Sequence, residues 1–238
     1  MVGELTSAAG VDCEGLTTQE INRRIHAFID DGVKEIEVRN PDARHAFVPG
    51  IKAEGVTVSF RGPVGWYAAG MNDGLTVRVQ GNCGWGIAEC MMRGHVEIHG
   101  HAGSGAAASI RGGLVYVQGD TGARAGISMK GGTLIVGGSV GYMSGFMLQA
   151  GRMIVCGGAA DGLGDSMYAG AIYVAGAIQA LGADAVEHAL DEEDRTMLAE
   201  TLLPFGIRAE TLPFRRIESG KRLWNFSTKE PELWSQAL

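Results

Sequence analysis

Residues 115–119 read VYVQG, and the same five-residue figure returns as LIVGG at 134–138, MIVCG at 153–157 and IYVAG at 172–176. Upstream it reads VEIHG at 96–100, VRVQG at 77–81 and VSFRG at 58–62, always 19 residues apart. The anchoring glycines are Gly62, Gly81, Gly100, Gly119, Gly138, Gly157 and Gly176. Two columns before them are apolar throughout: Val58, Val77, Val96, Val115, Leu134, Met153, Ile172 and Phe60, Val79, Ile98, Val117, Val136, Val155, Val174. The residue between them varies, from Ser59, Arg78 and Glu97 to Tyr116, Ile135, Ile154 and Tyr173. Alternation at period two marks a strand with one face buried. A strand returning at a short fixed step marks a solenoid, in which each coil buries its inner face against its neighbours.

The step of 19 selects the solenoid. Leucine-rich repeats need a leucine ladder with an asparagine, and hexapeptide helices need a multiple of six. A β-helix remains. Its corners lie in further small-residue columns: Gly65, Gly84, Gly103, Gly122 and Gly141; Ala69, Ala88, Ala107, Gly126 and Gly145; Gly94, Gly113, Gly132, Gly151 and Gly170. A second apolar ladder runs through Met91, Ile110, Met129, Leu148 and Met167, with Asn72 departing from it in the first coil. The expected fold is an all-β solenoid, a right-handed parallel β-helix of about seven coils with helical caps at both ends. At the ordinary strand spacing of roughly 4.8 Å, seven coils make a rod of about 30 Å.

Outside the coils, Thr17 and Glu20 fit a capping box for a helix over 17–31, with Ile21, Ile25, Phe28 and Ile29 on one face. Residues 34–39 alternate as a strand, and Asn40-Pro41-Asp42 forms a turn. Residues 1–16 show no period. After Gly176 the pattern fades. Asp191 can cap a helix to about Leu203, expected to cover the far end of the rod. The remaining tail carries Phe214, Arg215, Arg216, Lys221, Arg222, Trp224, Phe226 and Trp234, and reads as an arm packing on the rod or on another subunit. The organisation expected is a cap at 1–50, the β-helix at 51–183, and a helix with an aromatic, basic tail at 184–238.

Glycine accounts for 38 of 238 residues, against about 17 at average usage. Its spacing is not every third residue, which excludes collagen. The net charge of −7 argues against a nucleic-acid or anionic-membrane surface. There is no long apolar run and no basic, apolar leader, so the expected location is the cytoplasm. Cys13, Cys83, Cys90 and Cys156 form no C-x-x-C pair and read as free thiols.

Four constellations invite a chemical reading. His95, His99 and His101 form H-x3-H-x-H, but on a strand the first two lie about 13 Å apart, too far to share a metal. Gly119, Gly122 and Gly126, like Gly138, Gly141 and Gly145, resemble phosphate loops, yet their return at the coil step makes them corners. Asp120, Asp161 and Asp165 fall in different columns, which does not suit paired carboxylate chemistry. Four residues after the anchoring glycine stand Trp66, Trp85, Ser104, Ala123 and Tyr142. These rings either stabilise neighbouring coils or bind a partner or a sugar. The candidate partner contacts are Trp66, Trp85, Tyr142, Trp224 and Trp234. No residue stands out as catalytic, cofactor-binding or metal-binding.

The repeated Gly-x-x-Gly-x-x-x-Gly coils, with GNCGWGIAECMMRGHVEIHG at 81–100 and Asn40-Pro41-Asp42-Ala43-Arg44 ahead of Pro49-Gly50-Ile51, resemble the GXGXG domain of glutamate synthase over roughly 36–183. The domain also occurs in one component of formylmethanofuran dehydrogenase. Standing alone with its own caps, the chain resembles the separate β-helix subunit of N-methylglutamate synthase (methylamine–glutamate N-methyltransferase). The resemblance implies a hetero-oligomer with a glutaminase-like, class II amidotransferase subunit and an FMN-binding, glutamate-synthase-like subunit. FMN, and an iron–sulfur cluster if there is one, would then sit on a partner. The family's N-terminal cysteine nucleophile and its cluster cysteines have no counterpart here, where the chain begins Met1-Val2-Gly3. The alternative implied is a component of a one-carbon complex of the formylmethanofuran dehydrogenase type.

Overall fold

The computed structural model describes residues 9–223. It is a parallel β-solenoid with one main ladder. The strands are β1 (Ala9–Asp12), β2 (Glu35–Arg39), β3 (Thr57–Arg61), β4 (Asp73–Val79), β5 (Arg93–Ile98), β6 (Leu114–Val117), β7 (Lys130–Val136), β8 (Ala150–Val155), β9 (Ala171–Val174), β10 (Ala185–His188) and β11 (Arg215–Ser219). They form one sheet in the order β1 to β9, then β11, then β10. Pairing is parallel as far as β9, and β11 is antiparallel to both β9 and β10. The register follows the columns, Val58 beside Val77, Val96, Val115, Leu134, Met153 and Ile172 in turn. All seven, and the column from Phe60 to Val174, are fully buried.

A second, thinner ladder of single-residue bridges joins Val64, Cys83, Ala102 and Thr121, and then Val140, Ala159 and Ile178. Between the ladders the chain turns by placing every second residue in the left-handed region: Tyr67, Ala69 and Met71 have φ of 57°, 54° and 56°. Left-handed residues with a Cβ cost about 1 kcal/mol or more each. Here the cost is offset because their amides bond alternately to the coils on either side. Tyr67 N–H donates to Trp85 O, Ala69 to Phe47 O and Met71 to Glu89 O. Most of the anchoring glycines answer to close approach, while Gly62 and Gly81 also take φ of 149° and 152°. A Cβ on Gly119 or Gly138 would lie within 2.9 Å of the coil beneath. Asn72, the polar exception, is fully buried, and its amide bonds both N–H and C=O of Leu75 at 3.0 Å. A buried amide so satisfied costs little.

Helix α1 (Thr18–Asp30) carries the reciprocal capping box of Thr17 and Glu20, and seals Ile21 and Ile25 against the first coils. Two stretches hid coils from the sequence pattern. Ile36 pairs with Val58, a step of 22 residues, so 35–56 is a further coil whose extra residues break the period. β1 stacks on β2 although 1–16 showed no repeat.

The C-terminal part differs from expectation in the seat of its helix. Helix α2 (Glu192–Leu202), capped by Asp191, lies along the side of the rod rather than over its end. Its Leu198 and Leu202 pack with Tyr116, Ile135, Ile154 and Tyr173, which come from four successive strands. The segment from Phe205 packs on the rod, one of the two seats expected for it: Phe205 stacks on Tyr116 at 4.1 Å, Phe214 is buried, and β11 is inserted between β9 and β10. The outward column turns apolar at Tyr116, and that change calls for a cover. Trp224, Phe226 and Trp234 lie outside the described residues.

Candidate interaction surface

The column four residues after the anchoring glycine forms a ridge along one edge of the rod. The indole of Trp66 stacks on Trp85 at 5.4 Å with 15° between planes, and His45, one coil earlier, stacks on Trp66 at 4.6 Å. Glycine makes the stack possible: a Cβ on Gly84 or Gly103 would stand 2.5 Å from the Cδ1 of Trp66 or Trp85. His45 Nδ1 also accepts the N–H of Trp66 at 3.0 Å, locking the base of the ridge. The rings steady one another while remaining open, Trp66 44% and Trp85 56% exposed. Tyr67, Met71 and Met92 are exposed on the same two coils. Tyr142 is 55% exposed in the same column but separate, because Ser104 and Ala123 fill the two positions between. Clustered exposed Trp, Tyr and Met side chains suit contact surfaces.

Beside the ridge runs a polar ladder that sequence reading missed. Asn82 Oδ1, His101 Nδ1, Asp120 Oδ1 and Ser139 Oγ each accept the backbone N–H of the residue 19 further on, at 2.9, 2.9, 2.7 and 3.0 Å. Accepting at Nδ1 places the neutral-state proton of His101 on Nε2. Its signal in the sequence was the polar column immediately after the anchoring glycine.

The structure separates the other candidates. His95 and His99 flank Glu97 at 3.0 and 3.6 Å, whereas His101 belongs to the polar ladder beside Asp120. No three His, Cys, Asp or Glu side chains converge as a metal site among the described residues. Asp120 serves the ladder, and Asp165 accepts the Ala183 N–H and the Ser166 hydroxyl. The amides of Gly119, Gly122 and Gly126, and of Gly138, Gly141 and Gly145, are bonded to the preceding coil, so they are not free to cradle a phosphate. Burial pushes the Cys83 thiol up to about 12 and Cys156 to about 11, which keeps both protonated near neutral pH.

Two further regions complete the surface. The outer face of β2 to β5 carries the pairs Arg61–Glu37 at 2.7 Å and Arg78–Glu97 at 3.4 Å. A groove of about 750 Å³ at the opposite end is lined by Leu198, Leu212 and Phe214 together with Glu187, Arg195 and Arg215. No known protein-family pattern and no curated protein matches the chain.

Proposed function

We propose that the chain is a structural, non-catalytic subunit of a glutamate-synthase-like complex, and that the complex is an N-methylglutamate synthase converting methylamine and glutamate to N-methylglutamate and ammonia. The observation that carries the reading is the coil figure at 81–100, with its glycine columns and the Asn40–Arg44 approach, which resembles the GXGXG domain of that family. The physical role fits a solenoid. Coils tied to both neighbours by two ladders form a stiff body, and stiffness sets the separation of groups mounted on it. A reaction that passes a small amine between two active sites needs such a fixed separation. In this reading the glutaminase-like and FMN-binding subunits bring the chemistry, and this chain brings a surface open to them, the polar face of β2 to β5.

The test is reconstitution. The lone chain is expected to show no turnover and to elute from a sizing column without flavin absorbance. Mixed with a glutaminase-like and an FMN-binding subunit, it is expected to co-elute with them and to be required for amine transfer to glutamate. Flavin on the lone chain, or full activity without it, would overturn the reading.

A further inference from the structure

The aromatic ridge gives way, along its own column, to two small residues. Along one column the rungs read His45, Trp66, Trp85, then Ser104, Ala123, Tyr142. The first three are stacked rings that stand out from the rod. The next two carry a hydroxymethyl and a methyl group, and Tyr142 bounds the hollow they leave. Two protruding indoles followed at once by two small side chains, on the same line, are complementary to a copy of themselves turned end for end. Two-fold interfaces require such self-complementarity.

We propose that two copies of this chain pair face to face through this column, with their rods antiparallel. The two-fold axis crosses between the rungs of Trp85 and Ser104. It exchanges rungs symmetrically, so Trp85 meets Ser104 of the second copy, Trp66 meets Ala123, and His45 meets Tyr142. Each contact occurs twice. The neighbouring column follows the same exchange: Gly86 faces Gly105 without obstruction, and Tyr67, 52% exposed, faces the exposed guanidinium of Arg124. A cation over a tyrosine ring is attractive, and no like charges meet in this column. The side chains buried by the pairing are Trp and Tyr, the types that dominate binding energy at interface centres. A copy seated here leaves the polar face of β2 to β5 to unlike subunits.

Sedimentation equilibrium of the full chain across the micromolar range tests this without any other subunit, so its outcome is separate from that of the reconstitution above. The expected result is a concentration-dependent doubling of the 25.0 kDa mass. Trp85→Ser should weaken pairing about 30-fold or more. Ala123→Trp should weaken it comparably by filling the hollow. An indole at 123 has room over Gly141 as Trp66 has over Gly84, so the variant should fold, and circular dichroism checks this. Adding Trp66→Ala to Ala123→Trp moves the protrusion to the other side of the axis and should restore pairing. A chain that stays monomeric to about 200 μM, several hundred times the sub-micromolar affinity of ordinary interfaces of this type, overturns the proposal. So does Ala123→Trp pairing as strongly as the parent, or a double variant that pairs no better than Ala123→Trp alone.

Discussion

The sheet has one inner face and two different outer faces. From β3 to β5 the outward residue is Ser59, Arg78 or Glu97, and it meets water and ion pairs. From β6 to β9 it is Tyr116, Ile135, Ile154 or Tyr173, and all four are buried under α2 and the chain that follows. The inner columns do not change across this boundary. One solenoid can therefore serve as an open face in one half and as the floor of a second core in the other. The choice is made chiefly in this one column, with Leu114, Cys156, Ala171 and Ala175 beside it joining the same cluster. The cover is fixed by more than apolar contact: buried Asp194 accepts the Tyr173 hydroxyl at 2.8 Å and pairs with Arg216 at 2.9 Å.

The contrast can be broken by substitution. Val117→Asp buries an unpaired carboxylate in the inner face and should cost several kcal/mol, enough to abolish folding; circular dichroism of the purified variant reads it. Tyr116→Asp should come next. It removes the ring beneath Phe205, and about 3 kcal/mol is expected, as for aromatic truncation in a core. Ser59→Asp, the equivalent change on the open half, should stay within about 0.5 kcal/mol. Equal urea midpoints for Tyr116→Asp and Ser59→Asp would erase the distinction between the halves. Asp194→Ala strands the Tyr173 hydroxyl and leaves Arg216 to Asp191 and Glu218, and should cost about 1–3 kcal/mol. Arg61→Ala removes a half-exposed pair with Glu37 and should cost less than about 1 kcal/mol.

The boundary itself should respond to pH. His95 lies between the halves, its ring edge-on to Phe205 at 6.1 Å. Burial lowers its pKa, Arg78 assists, and the charge of Glu97 opposes. The folded state thus holds the imidazole neutral where the unfolded chain would take a proton. Stability should be complete above the ordinary histidine range and should decline as pH falls through it. Chemical denaturation at pH 7.5 and 5.5 measures the decline, and His95→Gln should reduce it. An unchanged difference between the two pH values would remove His95 from the account.

Much of this was legible in the residues. The anchoring columns specified coil, register and inner face, because a solenoid repeats its packing problem and the same side chains solve it each time. Val58 beside Val77 needed no structure to place. The coil at 35–56 was hidden because its 22-residue step carries no period. The side-on seat of α2 was missed although Tyr116, Ile135, Ile154 and Tyr173 announce a covered face, since period-two alternation draws attention to the inner columns alone. The ridge was legible as a column, but its stacking was not, because Trp66 can lie against Trp85 only where the residue before Trp85, Gly84, has no Cβ. The polar ladder joins side chain to backbone across coils, and a search for clusters of reactive side chains passes over it.

The cover over β6 to β9 also imposes an order of events on synthesis. Each rung finds its main hydrogen-bond partner 19 residues back, so the coils can close one after another behind the ribosome, each closing only a short loop. Tyr116, Ile135 and Ile154 nevertheless wait, sticky and uncovered, until Leu198, Phe205 and Phe214 have been made. Residues 192–217 therefore act late, as an intramolecular shield for a stripe that would otherwise adhere to other nascent chains.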